Sequence, residues 1–346
     1  MIWQKAVRTV VNGQLEHPEI MKKQCLNARQ GKLHCEKCRL SCPDPCITCP
    51  EKGEADWSYC SNCGICAAVC PAGAIELSHA GTTSIHQAVS LSGASRTIGC
   101  AEAAGDVDVR VPCLAALPWE ALAAMALGGK VHLVHGQCDA CRFQAQFSWF
   151  DRALERAGLF LEETPFEGNL TLHAPGESVN RNLSRRRAFG AMLGRAARAA
   201  DRRETQDEAQ NNEAVSSVRD LLLAAVRRQN PQYRFKWVIP GITARCWGCG
   251  ICEKTCPTQA IHFENVNGNW RLALSHGLCT DCGVCEALCP ERAIEGKGIL
   301  PVEADIEHIV MKIHARTCVA CGAPVNPGSD EKLCIRCQAR NRRKKM

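Results

Sequence analysis

Cysteine is the residue type with the most chemistry to offer in this 346-residue chain, which contains 26 of them. The cysteines fall into four groups, at residues 25–70, 100–141, 246–289 and 318–337. Thiolates bind metal ions and iron–sulfur clusters, whereas disulfides are typical of secreted proteins. The first 25 residues contain no apolar stretch of signal-peptide length, so the sequence predicts a cytoplasmic protein whose cysteines bind metal.

One cysteine spacing occurs three times along the chain. Residues 60, 246 and 279 begin the segments CSNCGICAAVCPAGAI, CWGCGICEKTCPTQAI and CTDCGVCEALCPERAI, which share every cysteine position. Their common pattern, Cys-x2-Cys-x2-Cys-x3-Cys-Pro, is typical of 4Fe-4S clusters, where three thiolates bind one cluster and the fourth binds a second one. A zinc site more often consists of two separated Cys-x2-Cys pairs. Each run therefore predicts a partner run that completes its cluster.

Two of these runs lie close together and can complete each other's clusters. The runs that begin at Cys246 and Cys279 predict two 4Fe-4S clusters with crossed fourth ligands. The predicted ligands are Cys246, Cys249, Cys252 and Cys289 for one cluster, and Cys279, Cys282, Cys285 and Cys256 for the other. Residues 236–300 resemble the two-cluster bacterial ferredoxins along their whole length, and the resemblance implies a ferredoxin-like dicluster module.

The run that begins at Cys60 has its partner upstream. The same pattern, with its first spacer lengthened to nine residues, occurs at Cys25, Cys35, Cys38 and Cys42, and a proline follows Cys42. Only the first ligand has to bridge the longer spacer, so the sequence predicts a second dicluster module over residues 1–80. The predicted ligands are Cys25, Cys35, Cys38 and Cys70 for one 4Fe-4S cluster, and Cys60, Cys63, Cys66 and Cys42 for the other.

Two cysteines of this region have no place in the dicluster pattern. Cys46 and Cys49 form a further Cys-x2-Cys pair within the segment PCITCP. Together with Cys35 and Cys38 they match the paired knuckles of a short zinc site, which is the alternative to the dicluster interpretation. The dicluster interpretation is the favoured one, and under it the role of Cys46 and Cys49 stays open.

The second cysteine group predicts a small α/β domain over residues 81–175. The segments VDVRVPC and KVHLVHGQC are typical of short buried strands, and the intervening PWEALAAMALGG predicts a helix that two glycines end. Each predicted strand delivers a cysteine at its carboxyl end, which is the edge where open α/β sheets place their sites. The four candidate ligands of this domain are Cys100, Cys113, Cys138 and Cys141.

This order of strand, cysteine, helix, strand and cysteine pair resembles the small iron–sulfur domain that forms the delta subunit of methyl-viologen-reducing hydrogenases. That family relays electrons to heterodisulfide reductase. Its last cysteine pair is more widely spaced than Cys138-x2-Cys141, and it has two upstream cysteines where this chain has Cys100 alone. A 2Fe-2S cluster is the favoured occupant of the four-cysteine site. Since Cys-x2-Cys also suits zinc, a structural zinc ion is the alternative.

The last cysteine group matches a four-cysteine zinc ribbon. A twelve-residue loop separates one pair, Cys318 and Cys321, from the other, Cys334 and Cys337. The segment resembles the C-terminal zinc finger of the DksA/TraR family of transcription regulators, whose coiled-coil portion this chain lacks. Zinc is redox-inert, so residues 301–346 are predicted to form a structural or protein-binding ribbon with a basic tail.

The remaining sequence separates these modules. Helical apolar spacing on both sides of a polar run predicts a helical linker over residues 176–235, partly disordered near residues 203–216. The formal net charge of +6 is modest, and the arginine-rich runs are typical of solvated faces. No apolar run of 18 residues is present. The predicted fold class is α+β multi-module: two ferredoxin-like dicluster modules, a small α/β domain between them, a helical linker and a C-terminal zinc ribbon.

Motifs for substrate chemistry are missing from the sequence: no nucleotide-binding glycine motif, nucleophile triad or paired-carboxylate site follows from residue spacing. The chain is therefore expected to be an iron–sulfur electron-transfer protein, a polyferredoxin without activity alone. Its expected cofactors are four 4Fe-4S clusters, a 2Fe-2S cluster in the middle domain and one zinc ion. Comparable ferredoxin-type subunits serve molybdopterin oxidoreductases such as formate dehydrogenase, hydrogenases and heterodisulfide-reductase-like complexes, and soluble ferredoxin is a further candidate partner.

An alternative from another class is a redox-sensing regulatory protein. Such a protein would bind nucleic acid or a protein partner through its zinc ribbon and basic tail, and the oxidation state of a cluster would be the signal. Four low-potential clusters in tandem are more than a sensor needs, which favours electron transfer. Nucleic acid is accordingly not an expected partner.

Overall fold

The computed structural model describes most of the chain. The described residues are 17–30, 35–49, 54–77, 85, 88–89, 95–177, 179, 217–266, 269–303, 307–313, 315–328 and 330–344. The predicted linker over 176–235 lies largely outside them, and so does the 203–216 segment for which disorder is predicted. Among the helices of the described ranges, the longest covers Phe147–Leu161, and none combines the length and apolar character that crossing a membrane requires.

The described residues of the N-terminal module form two short antiparallel ladders and three short helices. Its strands are β1 (Glu19–Ile20), β2 (Ile47–Cys49), β3 (Glu54–Ala55) and β4 (Ile75–Glu76), and its helices are α1 (Leu26–Gln30), α2 (Lys37–Ser41) and α3 (Ile65–Ala68). β1 pairs with β4, and β2 pairs with β3. Ile20, Ile47 and Ile75 share a small core with Cys66, so the apolar side chains of this module pack against a candidate ligand.

The middle domain is a four-stranded parallel sheet with helices packed against it. Its elements are β5 (Ser95–Cys100), β6 (Val109–Val111), α4 (Trp119–Leu127), β7 (Lys130–Val134), α5 (Phe147–Leu161) and β8 (Leu170–His173). The strand order is β6-β5-β7-β8. The predicted helix and both predicted strands are confirmed as α4, β6 and β7. The apolar patterns had not indicated β5 and β8, which complete the sheet.

Apolar residues on all sides of α4 explain its central position. Every residue from Ala121 to Leu127 is buried, as expected of a helix that is covered on more than one face. Pro118 occupies the N-cap position, and Gly129 has a φ of 143° just after the helix, so residues with suitable backbone preferences set both ends. α4 contacts both α5 and a later helix, α6 (Val218–Arg227).

The C-terminal module combines a long two-stranded ladder with a three-stranded antiparallel sheet. Its elements after α6 are β9 (Arg234–Ile242), α7 (Ile251–Thr255), β10 (Ile261–Val266), β11 (Asn269–Ser275), α8 (Val284–Ala287), β12 (Ile294–Glu303) and β13 (Glu307–Ile313). β9 pairs with β12, and the sheet order is β10-β11-β13. β13, which lies beyond the predicted boundary at residue 300, pairs with β11, which lies inside it. No cysteine marks β13.

The ribbon segment forms a small unit after β13. Its elements are β14 (Arg316–Thr317), β15 (Pro324–Val325) and α9 (Ile335–Lys344). β14 and β15 pair as a short antiparallel ladder. Cys318, Val325 and Cys334 form the buried core of this unit, so two of its three core residues are candidate metal ligands.

One large core joins the N-terminal module, the middle domain and the beginning of the C-terminal module. It contains Cys63 and Ile65 from the first, most of the buried side chains of the second, and Phe235 and Trp237 from β9. α6 contributes Leu222 together with its other buried apolar residues. Because these parts share one core, the cysteine groups that they carry hold fixed positions relative to each other.

Candidate functional site

The first candidate site, called the Cys25 site, gathers Cys25, Cys35, Cys38 and Cys70. Burial, followed by the neighbouring thiolates of the other three cysteines, raises the pKa of the Cys38 thiol to about 12. All four residues line a cavity of about 390 Å³ that is partly open to solvent. The structure thus brings together the four cysteines that the sequence predicts for one cluster.

Asn27 accommodates the lengthened spacer between the first two cysteines of this site. Its side-chain amide group donates a hydrogen bond to the Cys35 carbonyl oxygen at 2.7 Å, and its side-chain oxygen accepts one from the Cys35 amide at 2.8 Å. Asn27 is only 6% exposed, so water competes little for these hydrogen bonds. The side chain therefore fixes the beginning of the second ligand loop, and no sequence pattern had identified it.

The second candidate site, called the Cys60 site, gathers Cys60, Cys63, Cys66 and Cys42. Burial, followed by the thiolates of Cys63, Cys42 and Cys60, raises the pKa of Cys66. The thiolate of Cys38, from the Cys25 site, adds to the same effect, so the two sites are neighbours. This arrangement brings together the cysteines that crossed ligation requires.

Cys46 is a fifth thiol at the Cys60 site. Its side chain is 1% exposed and hydrogen-bonds with the thiols of Cys42 and Cys60. Burial, followed by the thiolates of Cys42 and Cys60, raises the pKa of Cys46 to about 12. The zinc-knuckle alternative would instead place Cys46 at the Cys25 site. The side chain of Cys49 lies outside the described residues.

The C-terminal module holds two further sites. The Cys246 site comprises Cys246, Cys249, Cys252 and Cys289, and the Cys279 site comprises Cys279, Cys282, Cys285 and Cys256. Beyond the larger effect of burial, the Cys289 thiolate raises the pKa of both Cys246 and Cys249. Burial likewise raises the pKa of Cys282, and the Cys256 thiolate raises it further. The four cysteines of the Cys279 site line a cavity of about 500 Å³ that is partly open to solvent.

One backbone conformation recurs in the three ferredoxin runs. The third residue of each run has a positive φ, at Asn62 (53°), Gly248 (81°) and Asp281 (54°). The residue after the second cysteine also has a positive φ, at Gly64 (79°), Gly250 (74°) and Gly283 (77°). Left-handed residues in such loops turn successive amide N–H groups toward one point, which suits an anionic ligand. The repeated spacing therefore specifies a repeated loop geometry as well as a ligand order.

Amide hydrogen bonds to sulfur also recur at the last cysteine of each run. The donor lies four residues further on and the N···S distance is 3.2 Å in each case, from Ala74 to Cys70, from Ala260 to Cys256 and from Ala293 to Cys289. Hydrogen bonds to ligand sulfur stabilise the thiolate and help to set the reduction potential of a bound cluster. The proline after each of these cysteines begins the turn that brings the donor into place.

The middle candidate site, called the Cys100 site, lies at the carboxyl end of the parallel sheet. β5 ends at Cys100, Cys113 follows β6, and both Cys138 and Cys141 follow β7. Burial raises the pKa of Cys113 to about 11, and the three other thiolates contribute to this increase. The four cysteines therefore converge from three strands at the edge where the sequence places them.

Backbone donors support the Cys100 site as they support the ferredoxin sites. The Gly136 amide donates to Cys100 Sγ at 3.3 Å, and the Phe143 amide donates to Cys141 Sγ at 3.5 Å. A side chain at Gly136 would collide with the backbone of Glu102, so the close approach of these two segments requires glycine. No pattern in the sequence indicates this requirement for glycine.

The ribbon cysteines form the most compact ligand set. The Sγ atoms of Cys318, Cys321, Cys334 and Cys337 all lie within 4.8 Å of one another, and no other group of three or more metal-binding side chains in the described ranges meets this distance. The Cys334 amide donates to the Cys318 thiolate and lowers the pKa of Cys318 to about 6. Zinc–sulfur distances of about 2.3 Å hold four ligand sulfurs roughly this close, so the donor set fits one zinc ion.

Two protein-family models match the chain in its ferredoxin-like parts. Residues 245–294 match the 4Fe-4S dicluster domain, and residues 54–76 match the 4Fe-4S binding domain. A curated relative, the pyruvate synthase subunit PorD of Methanothermobacter marburgensis, is 44% identical over 45 residues. This alignment covers 13% of the chain and 53% of the relative, so the chain spans about half the length of the relative that it matches.

These matches, together with the thiol geometry, define the class of the protein. The chain is an iron–sulfur electron-transfer protein that contains ferredoxin-type 4Fe-4S modules. Neither family match reaches the Cys100 site or the ribbon cysteines. The repeated cysteine spacing indicates this class of protein from the sequence alone. The hydrogen bonds of Asn27 and the position of Cys46 are visible only in the folded chain.

Proposed function

We propose that this protein is a polyferredoxin that relays single electrons to or from a catalytic oxidoreductase partner. The contact between neighbouring four-thiol sites carries the proposal. Cys38 packs against the small core that contains Cys66 in the N-terminal module, and Cys285 packs against the core that contains Cys252 in the C-terminal module. Sites in such contact allow an electron to move through the protein without passing through solvent.

The proposed ligands of the four 4Fe-4S clusters are those of the Cys25, Cys60, Cys246 and Cys279 sites. When bound, such clusters supply one-electron chemistry at a potential that the surrounding protein tunes. The chain contributes thiolates, a low-dielectric environment and amide donors to sulfur. Burial disfavours additional negative charge, and the amide N–H groups offset part of that cost.

We further propose a 2Fe-2S cluster at the Cys100 site, with zinc as the alternative occupant. Its position beside the Cys60 site supports an electron-transfer role. The short helical turn Leu114–Ala116, directly after Cys113, packs against α3 of the N-terminal module. Arg142, directly after Cys141, donates to both carboxylate oxygens of Asp44 at 2.7 and 2.8 Å. Both contacts join the two ligand loops.

The proposed occupant of the ribbon is one zinc ion held by its four cysteines. Zinc does not change its oxidation state, so this site would stabilise the ribbon and would not carry electrons. The small core of the unit supports this assignment, because Val325 is its one buried residue that is not a candidate ligand, within the described residues. A bound metal ion would supply the folding free energy that the few apolar contacts of such a small unit do not provide.

The proposed partner is a catalytic subunit of a molybdopterin oxidoreductase, a hydrogenase or a heterodisulfide-reductase-like complex, and soluble ferredoxin is a further exchange partner. The relative in Methanothermobacter marburgensis supports a role within a complex, since it is named as a subunit of pyruvate synthase. Anaerobic affinity purification from the native cell, followed by identification of the bound subunits, distinguishes among these classes.

Metal analysis of anaerobically purified protein tests the proposed cofactor content. We expect about sixteen irons in 4Fe-4S form, about two more from a 2Fe-2S cluster, matching sulfide and about one zinc per chain. EPR spectra of dithionite-reduced protein should show interacting 4Fe-4S signals. A preparation that contains a single cluster, or mostly zinc, would refute the relay.

A second candidate function is redox sensing with nucleic-acid binding through the ribbon. The observation in its favour is the basic helix α9, in which Arg336, Arg340 and Arg342 are exposed. This function requires binding to DNA or RNA that weakens as salt increases. If no such binding occurs, while a reduced ferredoxin or viologen reduces the protein rapidly, this candidate is eliminated.

A further inference from the structure

We propose that Arg219 sets the order of reduction within the C-terminal module. It gives the cluster of the Cys279 site a higher reduction potential than the cluster of the Cys246 site. The inference rests on the proposed function, because it requires a 4Fe-4S cluster at both sites. The difference in reduction potential gives the relay a direction, because electrons then reside preferentially at the Cys279 site.

Arg219 is a fixed positive charge against the ligand loop of the Cys279 site. Its Nε donates to the Gly277 carbonyl oxygen at 2.7 Å, and its Nη2 donates to the carbonyl oxygen of Cys279. Its guanidinium carbon lies 5.3 Å from the ring centroid of Trp119 and 5.5 Å from that of Trp237. Because only 12% of the side chain is exposed, solvent screens this charge weakly.

Three other charged side chains face the same loop. Glu120 accepts a hydrogen bond from Arg219 Nη1 at 3.3 Å. Arg156 of α5 interacts electrostatically with Glu120 and with Asp281. Each carboxylate therefore has a nearby arginine that offsets its charge. Arg219 is the one of these four side chains that hydrogen-bonds to the backbone of Cys279, so its charge acts on the ligand from the shortest range.

A carboxylate lies beside the Cys246 site. Glu291 follows the last ligand of this site, and its Oε1 accepts a hydrogen bond from Trp247 Nε1 at 3.0 Å, which holds the carboxylate in place. Trp247 is buried, whereas Glu291 is exposed, so water screens the negative charge of Glu291.

The arginines near the Cys246 site differ from Arg219 in exposure. Arg245 is 52% exposed, so water screens its charge, and it forms an ion pair with Glu295 as Arg219 does with Glu120. Arg292 is also exposed. By contrast, Arg219 is only 12% exposed and hydrogen-bonds to the backbone of the Cys279 loop.

A buried positive charge at one of two otherwise similar sites separates their reduction potentials. Reduction adds one electron to a cluster and breaks no bond, so a buried positive charge favours the reduced form and a nearby carboxylate disfavours it. Trp119, Glu120 and Arg156 belong to the middle domain, and all three pack around Arg219 or the loop of the Cys279 site. The site that retains the electron is therefore the one adjacent to the middle domain.

Redox titration of three arginine variants, followed by EPR, tests the proposal. In R219Q, we expect one C-terminal cluster to shift to a lower potential while the other remains unchanged. R219K keeps the positive charge and should retain most of the wild-type potential. R228Q is the matched control, because Arg228 ends the same helix but is exposed, and it should leave both potentials unchanged. Combining R219Q with Cys282→Ser identifies which cluster moves.

The outcomes separate this inference from the proposed function. If wild-type protein lacks two 4Fe-4S clusters in this module, both are overturned. If both clusters are present but R219Q leaves their potentials unchanged, or if R219K shifts them as far as R219Q does, the inference alone fails. Should R219Q lose iron, E120Q decides, since it leaves the Arg219 charge without its paired carboxylate and should raise the potential of the same cluster; an unchanged potential in E120Q would also overturn the inference.

Discussion

Five thiols crowd the Cys60 site, although a 4Fe-4S cluster takes one thiolate per iron. Burial raises the pKa of both Cys63 and Cys66, and the Cys42 thiolate raises it further. Cys46 instead contacts Cys42 and Cys60. At the scale of single residues, we therefore predict that Cys42 is the cluster ligand and that Cys46 is a hydrogen-bond donor to ligand sulfur.

The cysteine pair at this site can be separated by substitution. We expect C42A to lose about four irons per chain, because it removes a corner ligand from the cluster. C46A, its matched control, should retain the wild-type iron content and show only a changed reduction potential. Iron and sulfide analysis with EPR measures both. If C46A loses the cluster while C42A keeps it, the two roles are reversed.

The grouping of the cysteines could be predicted because their spacing constrains the local loop geometry. Asn27, Cys46 and Arg219 could not be predicted in the same way. Asn27 acts through two hydrogen bonds across eight residues, and Arg219 reaches a carbonyl group sixty residues away. Such roles depend on tertiary contacts, which residue spacing does not encode.

Tight backbone contacts between elements hold the Cys100 site at the edge of its sheet. The segment after β7 passes so close to the segment after β5 that only glycine fits at position 136. The same close approach places the Gly136 amide 3.3 Å from Cys100 Sγ. At the scale of elements, the site therefore depends on how two loops pack as much as on its four ligands.

Glycine substitutions test this dependence. G136A should destabilise the protein by roughly 1–3 kcal/mol, as overpacking does, and should alter the visible absorption of the cluster proposed for the Cys100 site. G158A is the control, because a Cβ at Gly158, within α5, would meet nothing within 4 Å, and alanine favours a helix. Denaturant unfolding and absorption spectra measure both variants. Equal behaviour of the two would contradict the packing argument.

Local sequence patterns predicted some helices and strands, whereas other strands are defined by pairing with segments that are distant in the sequence. α4 could be predicted because its apolar run has a proline before it and glycines after it. β13 carries no cysteine, and it is assigned to the ferredoxin module only because it pairs with β11. β5 and β8 likewise depend on β7, which lies between them in the sheet.

One shared core and one ion pair connect the redox sites across the whole molecule. Cys63 lies in the same core as Cys100, so the N-terminal module and the middle domain are packed together at their candidate sites. The ion pair between Arg142 and Asp44 joins the adjacent ligand loops at their more exposed side, where the Arg142 side chain is 56% exposed. In the proposed relay, electron transfer between these sites therefore depends on this contact.

Charge reversal tests that contact. R142E places two carboxylates together, so we expect slower electron transfer between the Cys60 and Cys100 sites, with a stability change of only about 0–1 kcal/mol. The exchanged pair D44K/R142E should restore the rate, because it restores the attraction. Stopped-flow reduction at two wavelengths measures the transfer. An unchanged rate in R142E would show that the core alone sets the distance.

The unequal cores of the modules have a consequence for how the protein matures. The middle domain is built on aliphatic and aromatic side chains, whereas the buried cores of the N-terminal module and the ribbon are small and include cysteines. Units of the second kind gain much of their folding energy from the metal that they bind. With the proposed cofactors, we therefore expect the middle domain to fold first and newly delivered iron and zinc to complete the smaller units.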